Sequence, residues 1–430
     1  MSLETGEMVR SSLIALPETK DPLVEKPLLG GFRKIMQYTS IPTMPPPLLV
    51  FSSNDLMVSQ LLGPFNYFVK LTLLDCSAKS RRVGFLSRLV AVLVITLLST
   101  RVAFLMMKSR GNVLSFAWAE SNFFGFPAIF TQFCGICIFS WTRKEFVETF
   151  CEKLGKLKSL RLEQNAALDH YTKIHIFAIG CSIPWLVATM SWSVYNMFEG
   201  KIFFGGEETN ILFCGILVIS NCYIWFISSI CLAYFVLIFS AINRETKHFN
   251  EELESAKKEK TLKNIEVLEK FDYRQNEILN IVLFINESLS FFGGLVPLFL
   301  FYGLVNGVYL TAFMDSVPLL YFAILMFNLA AIIFYNFAIL LPACALQEHL
   351  TATSRILINN NEFECSKNSV VYRTYRVMVD RIEKIDSTIH VVGAFPINRK
   401  VLAAAAFIVP NLGFLLVLVK KVILANGGVV

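Results

Sequence analysis

The sequence predicts an all-α membrane protein with seven transmembrane helices, its N-terminus cytoplasmic and its C-terminus extracellular. Three observations carry that reading. Hydrophobic residues make up 55% of the 430 and charged residues only 17%. The apolar residues gather in runs of about 20 or more, the length that crosses a bilayer as a helix. Of the 39 Lys and Arg, 32 fall in alternate segments between those runs and 5 in the others. Basic residues accumulate on the cytoplasmic side, which fixes the orientation.

Residues 1–59 read as a cytoplasmic tail, largely disordered, with scattered charges and the proline run "IPTMPPPLL". No apolar core with a cleavage site precedes the first run, so that run is expected to act as a signal anchor. Residues 60–83 contain "LLGPFNYFVKLTLLDCS". This stretch is apolar but too short to span, and it carries Pro64 and Lys70. It reads as an interfacial or re-entrant pre-helix.

Six runs then form a bundle over 84–346, at 84–107, 114–141, 174–198, 211–241, 278–305 and 317–346. The charged segment 243–277 has neither Pro nor Gly and is rich in helix formers, predicting a helical extension into the cytoplasm. Segment 347–398 is read as a cytoplasmic anchor. Within it Val371, Tyr375, Met378, Ile382, Ile385 and Ile389 step by fours and threes, the seam of an amphipathic helix over 371–389. That seam fits either a subunit interface or packing on the protein's own helices. The last run, 399–424, is the seventh span, and 425–430 are an extracellular tail.

This arrangement excludes several classes. A G-protein-coupled receptor has its N-terminus outside. An odd span number without an internal repeat argues against the simplest inverted-repeat transporter. No nucleotide fingerprint, nucleophile elbow or zinc motif appears, so no enzyme and no cofactor are expected. Cys134 and Cys137 form a CxxC inside an apolar run without a second pair, and no metal site is expected. None of the ten cysteines lies in an outer loop, so no structural disulfide is expected. The sequon Asn286-Glu287-Ser288 falls inside a span and is expected to be unmodified. The net charge of +6 suits loops facing anionic lipid and requires no nucleic acid.

Polar residues within the runs are the first functional candidates. Arg101 and Glu120 lie near the outer ends of spans one and two and are candidates for an intramembrane ion pair. Glu287 falls nearer the middle of span five. Trp118, Glu120, Trp192, Tyr195, Tyr302, Asn306 and Tyr309 belong to the outer third. They fit either an interfacial aromatic belt or the lining of a ligand pocket. In the last helix Pro410 marks a bend or gate. Leu412, Leu416 and Val419 share a face as a candidate constriction, with Lys420 at its outer mouth.

The inside N-terminus, the pre-helix near "GPFNYFVK", the charged second cytoplasmic loop and the broken last helix together resemble the invertebrate gustatory receptor family. The resemblance covers roughly residues 60–424. That family's last helix carries Thr-Tyr, five apolar residues and Gln-Phe. Here Gly413-Phe414, the apolar Leu415, Leu416, Val417, Leu418 and Val419, and Lys420-Lys421 occupy those places. The departures are those of a divergent, nematode-like branch. The resemblance implies a ligand-gated cation channel of four like or related subunits, their last helices around one pore. It also implies a small-molecule ligand within the outer half of the bundle, and the plasma membrane of sensory or neuronal cells. Two further readings stay open. One is a light- or peroxide-sensing or signalling receptor of the same fold without its own pore. The other is an unrelated seven-span transporter or scaffold.

Overall fold

Runs of helix formers, interrupted where the backbone cannot continue them, set the element order of the computed structural model. It describes residues 54–77, 81–108, 115–161, 171–198, 211–311, 318–359, 369–384, 390–391, 395–396 and 399–425, all within the unit Phe51–Val430. The α-helices are α1 (Asn54–Leu62), α2 (Pro64–Leu71), α3 (Arg81–Lys108), α4 (Phe116–Arg143), α5 (Phe146–Ser159) and α6 (Thr172–Phe198). There follow α7 (Ile211–Lys258), α8 (Ile265–Leu310), α9 (Leu319–Ile358), α10 (Ser369–Lys384) and α11 (Arg399–Ala425). A two-residue pair, β1 (His390–Val391) and β2 (Phe395–Pro396), lies antiparallel between α10 and α11.

The breaks have local causes. Gly63 takes a φ of +52° that an L side chain resists, and Pro64 then opens α2 without needing a donor. A side chain at Gly63 would also strike His175, whose Nε2 lies 2.7 Å from the Leu61 carbonyl oxygen. Ser115 caps α4 by accepting from the Trp118 N–H at 3.2 Å, and Asn264 caps α8 by accepting from Glu266 N–H at 3.0 Å.

Six helices are long and apolar enough to cross a membrane among the described residues: α3, α4, α6, α7, α8 and α9. The chain is a multi-pass membrane protein. Of the membrane-length window, 78% is buried in α7 but only 22% in α3. α7 is therefore the central post and α3 a peripheral helix with Phe85, Leu89, Val92 and Leu97 on its outer surface. α7 and α8 extend beyond their apolar stretches and meet through residues 259–264. That is called the hairpin end; α4 and α9 begin, and α8 ends, at the opposite end.

Side-chain contacts fix the registers. α4 and α8 are antiparallel, with Phe123 against Gly307, Phe126 against Gly303, and Trp141 Nε1 donating to the Ser288 carbonyl at 3.2 Å. α7 and α9 are parallel: Asn243 donates to the Pro342 carbonyl at 2.7 Å, and seven residues on Asn250 donates to the His349 carbonyl at 2.8 Å. α5 and α10 pack beside this hairpin, and α11 packs on α8.

Two expectations change here. The α10 seam is not an open intersubunit face: Val371, Tyr375 and Met378 are buried in the chain's own core, with α10 packed on α8 and α9. Gln275 of α8 donates to the Met378 carbonyl at 3.3 Å, and Arg381 pairs with Asp272 at 2.8 Å. Ile382 is half-buried, and Ile385 and Ile389 lie outside the described residues. Glu287 is also not midway along its span. Its neighbour Ser288 is level with Trp141, two residues from the hairpin-side end of α4, and Lys153 Nζ stands 5.5 Å from the Phe284 ring one turn before it. Glu287 is exposed there.

Candidate ligand-binding site

Aromatic residues recur every seven positions on α4, at Phe116, Phe123 and Phe130, and stand fourteen apart on the parallel α9, at Tyr321 and Tyr335. Seven residues are nearly two helical turns, so each set lines one face. α6 and α7 close the other sides. The result is an aromatic column between α4, α6, α7 and α9.

At its deep end the Trp185 ring of α6 lies 5.1 Å from Tyr335, 6.2 Å from Phe126 and 6.5 Å from Phe130. Phe130 meets Tyr335 edge-on at 5.9 Å. All four are buried. Ser228 of α7 satisfies their polar edges: Trp185 Nε1 donates to its Oγ at 3.1 Å and the Tyr335 hydroxyl to its carbonyl at 2.7 Å. Such edge-to-face contacts hold the rings in defined orientations. Buried Asn328, midway between Tyr321 and Tyr335 on α9, donates its amide to the Ile324 carbonyl at 2.8 Å.

The outer end lies about 21 Å away, fourteen residues along α9. There the Tyr321 ring is 5.8 Å from Phe116 and 5.8 Å from Tyr195 of α6, at interplanar angles of 51° and 72°. Glu120 of α4 is one turn on from Phe116 and shares its side of the helix. Tyr195 and Tyr321 are buried apart from the main core, while Phe116 and Glu120 are half-buried at the rim. The groups present are apolar rings, one carboxylate, and phenol and amide groups. No group of three or more His, Cys, Asp or Glu arranged for a metal occurs among the described residues.

The structure divides the residues singled out in the sequence. It brings Glu120 and Tyr195 together around Tyr321. Trp118 is half-buried against the main core. The side chain of Trp192 lies outside the described residues. Tyr302 belongs instead to the α4–α8 seam, and Asn306 and Tyr309 are buried on α8. Tyr302 donates to Asn122 Oδ1 at 2.9 Å, and buried Asn306 donates to the Tyr302 carbonyl at 2.9 Å. Glu120 and Asn122 are two residues apart on a helix and leave it in nearly opposite directions. Trp185, Tyr321, Tyr335 and Ser228 went unnoticed in the sequence, although the seven-residue aromatic spacing was visible.

Leu98 packs on Gly135, and Gln132 Nε2 donates to Ser99 Oγ at 2.5 Å, so α3 and α4 run antiparallel. The side chain of Arg101 lies outside the described residues, and with it the expected Arg101–Glu120 ion pair.

α11 also departs from expectation. It sits on α8 through Gly413, where a Cβ would lie 2.5 Å from Val308 Cβ. Lys420 shares that inward face and is 7% exposed, so it turns toward its own bundle rather than toward a pore mouth. Leu412, Leu416 and Val419 are exposed on another side, and Pro410 sits within the helix without ending it. Lys421, not Lys420, is the exposed member of the pair.

The structure of the insect olfactory receptor OR5 from Machilis hrabei is similar to this chain, with a TM-score of 0.63 at 12% identity, over 83% of this chain and 98% of that one. The same receptor in complex with eugenol gives 0.60 at 12% identity, over 84% and 99%. A comparison with curated proteins finds no match. Fold and site thus define a multi-pass membrane protein with the insect olfactory receptor fold. The chain itself belongs to the family described as "Caenorhabditis protein of unknown function, DUF267", whose model matches residues 61–413.

Proposed function

We propose that this chain is a chemosensory receptor of the gustatory and olfactory receptor type, and a subunit of a ligand-gated cation channel. The observation that carries the reading is the aromatic column between α4, α6, α7 and α9, with its Ser228, Asn328 and Glu120 polar groups. It offers a small organic molecule apolar faces and a few directed polar contacts. The neighbouring receptor structure in complex with eugenol has the same fold, which supports a small-molecule ligand here.

In this reading α11 is the seventh span. The basic hairpin end is cytoplasmic, and the C-terminus is extracellular. α11 touches the rest of the chain along one side, and Leu412, Leu415, Leu416, Leu418 and Val419 remain exposed. An apolar helix so little covered by its own chain suits assembly around a shared axis, where four copies of Leu412, Leu416 and Val419 form a constriction that opens by wetting.

One experiment tests the proposal. The chain carries a C-terminal epitope and is expressed in cells without relatives; antibody is applied to intact cells and currents are recorded against a panel of small organic compounds. The expected result is surface labelling and an evoked cation current that Trp185→Leu abolishes or shifts at least tenfold in dose at equal labelling. Labelling only after permeabilisation, or currents indifferent to Trp185→Leu, contradicts it.

A further inference from the structure

The bond from Gln132 Nε2 to Ser99 Oγ, with Leu98 packed on Gly135 beside it, fixes how α3 and α4 face each other. Eleven residues make three helical turns and about 20° more, so positions eleven apart share a side of a helix about 16 Å along it. Arg88 stands eleven before Ser99 on α3, and Arg143 eleven after Gln132 on α4. The helices are antiparallel, so both steps run toward the hairpin end. They bring Arg88 and Arg143 to one level on facing sides of the two helices. Both are exposed, and neither has an ion pair among the described residues. A cation is favoured in the last turn of α4, which accounts for Arg143. Arg88 has no such reason: it lies two turns in from the N-terminus of α3, within the apolar window Val83–Thr100. Like charges at one level repel, and an anion between them relieves both.

The chain's own nearby acid is otherwise engaged. Thr142 Oγ1 donates to the Leu74 carbonyl at 3.1 Å, which lays residues 74–77 beside the end of α4. Asp75 there turns back on its own segment, its Oδ1 accepting from the Ser77 N–H at 3.0 Å and the Ser77 hydroxyl at 2.6 Å. Away from the hairpin end, Leu89 and Val92 follow Arg88, and Ile136 lies two turns before Arg143, all exposed and continuous with the outer surface of α3. We propose that Arg88 and Arg143 hold the phosphate of an anionic phospholipid whose acyl chains lie along Leu89, Val92 and Ile136. Guanidinium forks match phosphate oxygens in pairs, and basic sites between spans take anionic headgroups. In the orientation proposed above this is the cytoplasmic leaflet, the anionic one; the lipid site itself depends on neither that orientation nor the aromatic column.

The test uses the full chain purified in a neutral detergent, titrated with dioctanoyl phosphatidic acid, dioctanoyl phosphatidylcholine and inorganic phosphate. Phosphatidic acid is expected to bind about tenfold or more tightly than either of the others. Arg88→Gln and Arg143→Gln each cut that preference about fivefold, and together they abolish it. Lys258→Gln, which removes an exposed cation at the tip of α7, leaves it unchanged. Should one arginine variant fail to fold, the other is read alone, since each arginine is half of the site. Equal binding of the two lipids to the wild type, a preference that survives loss of the arginines, or an equal loss in Lys258→Gln overturns the proposal. Inorganic phosphate binding as tightly as phosphatidic acid overturns it too, because the site then takes a free anion and not a lipid.

Discussion

At the scale of single residues, one buried ion pair is announced by no spacing in the sequence. Arg161, just past α5, holds Glu245 of α7 through two nitrogens, with Nε donating to Oε2 at 3.0 Å. The Glu245 side chain is completely buried and that of Arg161 is 7% exposed. A buried charge deprived of its partner costs about 3–5 kcal/mol, whereas replacing both by apolar residues is often neutral. Glu245→Leu is therefore expected to lower the thermal stability sharply, and Arg161→Met with Glu245→Leu to recover most of it, as read by a melt in detergent. Equal loss in the single and the double variant would show that the pair does not matter. Sequence reading placed both residues in the basic segments, because charge and hydropathy are local properties. It could not join residue 161 to residue 245, because a long-range pair depends on how helices dock.

At the scale of elements, helix periodicity was legible and helix partners were not. The seam of α10 was read at its correct spacing, yet its mate proved to be the chain's own α8 and α9. Amphipathicity says that a face must be covered and not by what. On α7, Asn243, Asn250 and Lys257 recur every seven residues, and each donates to a carbonyl of α9 or of the residue that caps it. Lys257 Nζ reaches the Asn359 carbonyl at 3.0 Å, capping the α9 C-terminus where a cation is favoured. Asn250 is the buried middle of the ladder: it donates to the His349 carbonyl, and Thr353 Oγ1 donates to its Oδ1 at 2.5 Å. Asn250→Leu leaves both partners buried without it, at a cost of about 1–3 kcal/mol. The expected outcome is a lower melting temperature and faster hydrogen exchange at the α7–α9 contact near the hairpin end, with the aromatic column unchanged. Uniform loss of protection over the whole bundle would mean the ladder is not a separate joint.

At the scale of the whole molecule, composition and charge alternation gave the multi-pass class, because bilayer thickness constrains every span alike. The aromatic column was only partly legible, because it is assembled from four helices and its deep residues look in the sequence like ordinary core. α11 shows the same boundary: its apolar run was legible, while the direction of Lys420 followed from the close seat of Gly413 on Val308. The proposed division of labour, with the bundle binding the ligand and α11 walling the ion path, is tested most directly by reporter cysteines at 412, 416 and 420. The background is quiet. Among the described cysteines seven are buried and Cys222 is half-buried, and burial pushes the Cys151 thiol up to about 12, leaving it protonated at neutral pH. With ligand present, aqueous thiol reagents are expected to change the current carried by Leu412→Cys and Leu416→Cys channels and to leave Lys420→Cys channels unaffected. Modification at 420 with none at 412 or 416, in channels that conduct, would contradict the placement of α11 along the pore.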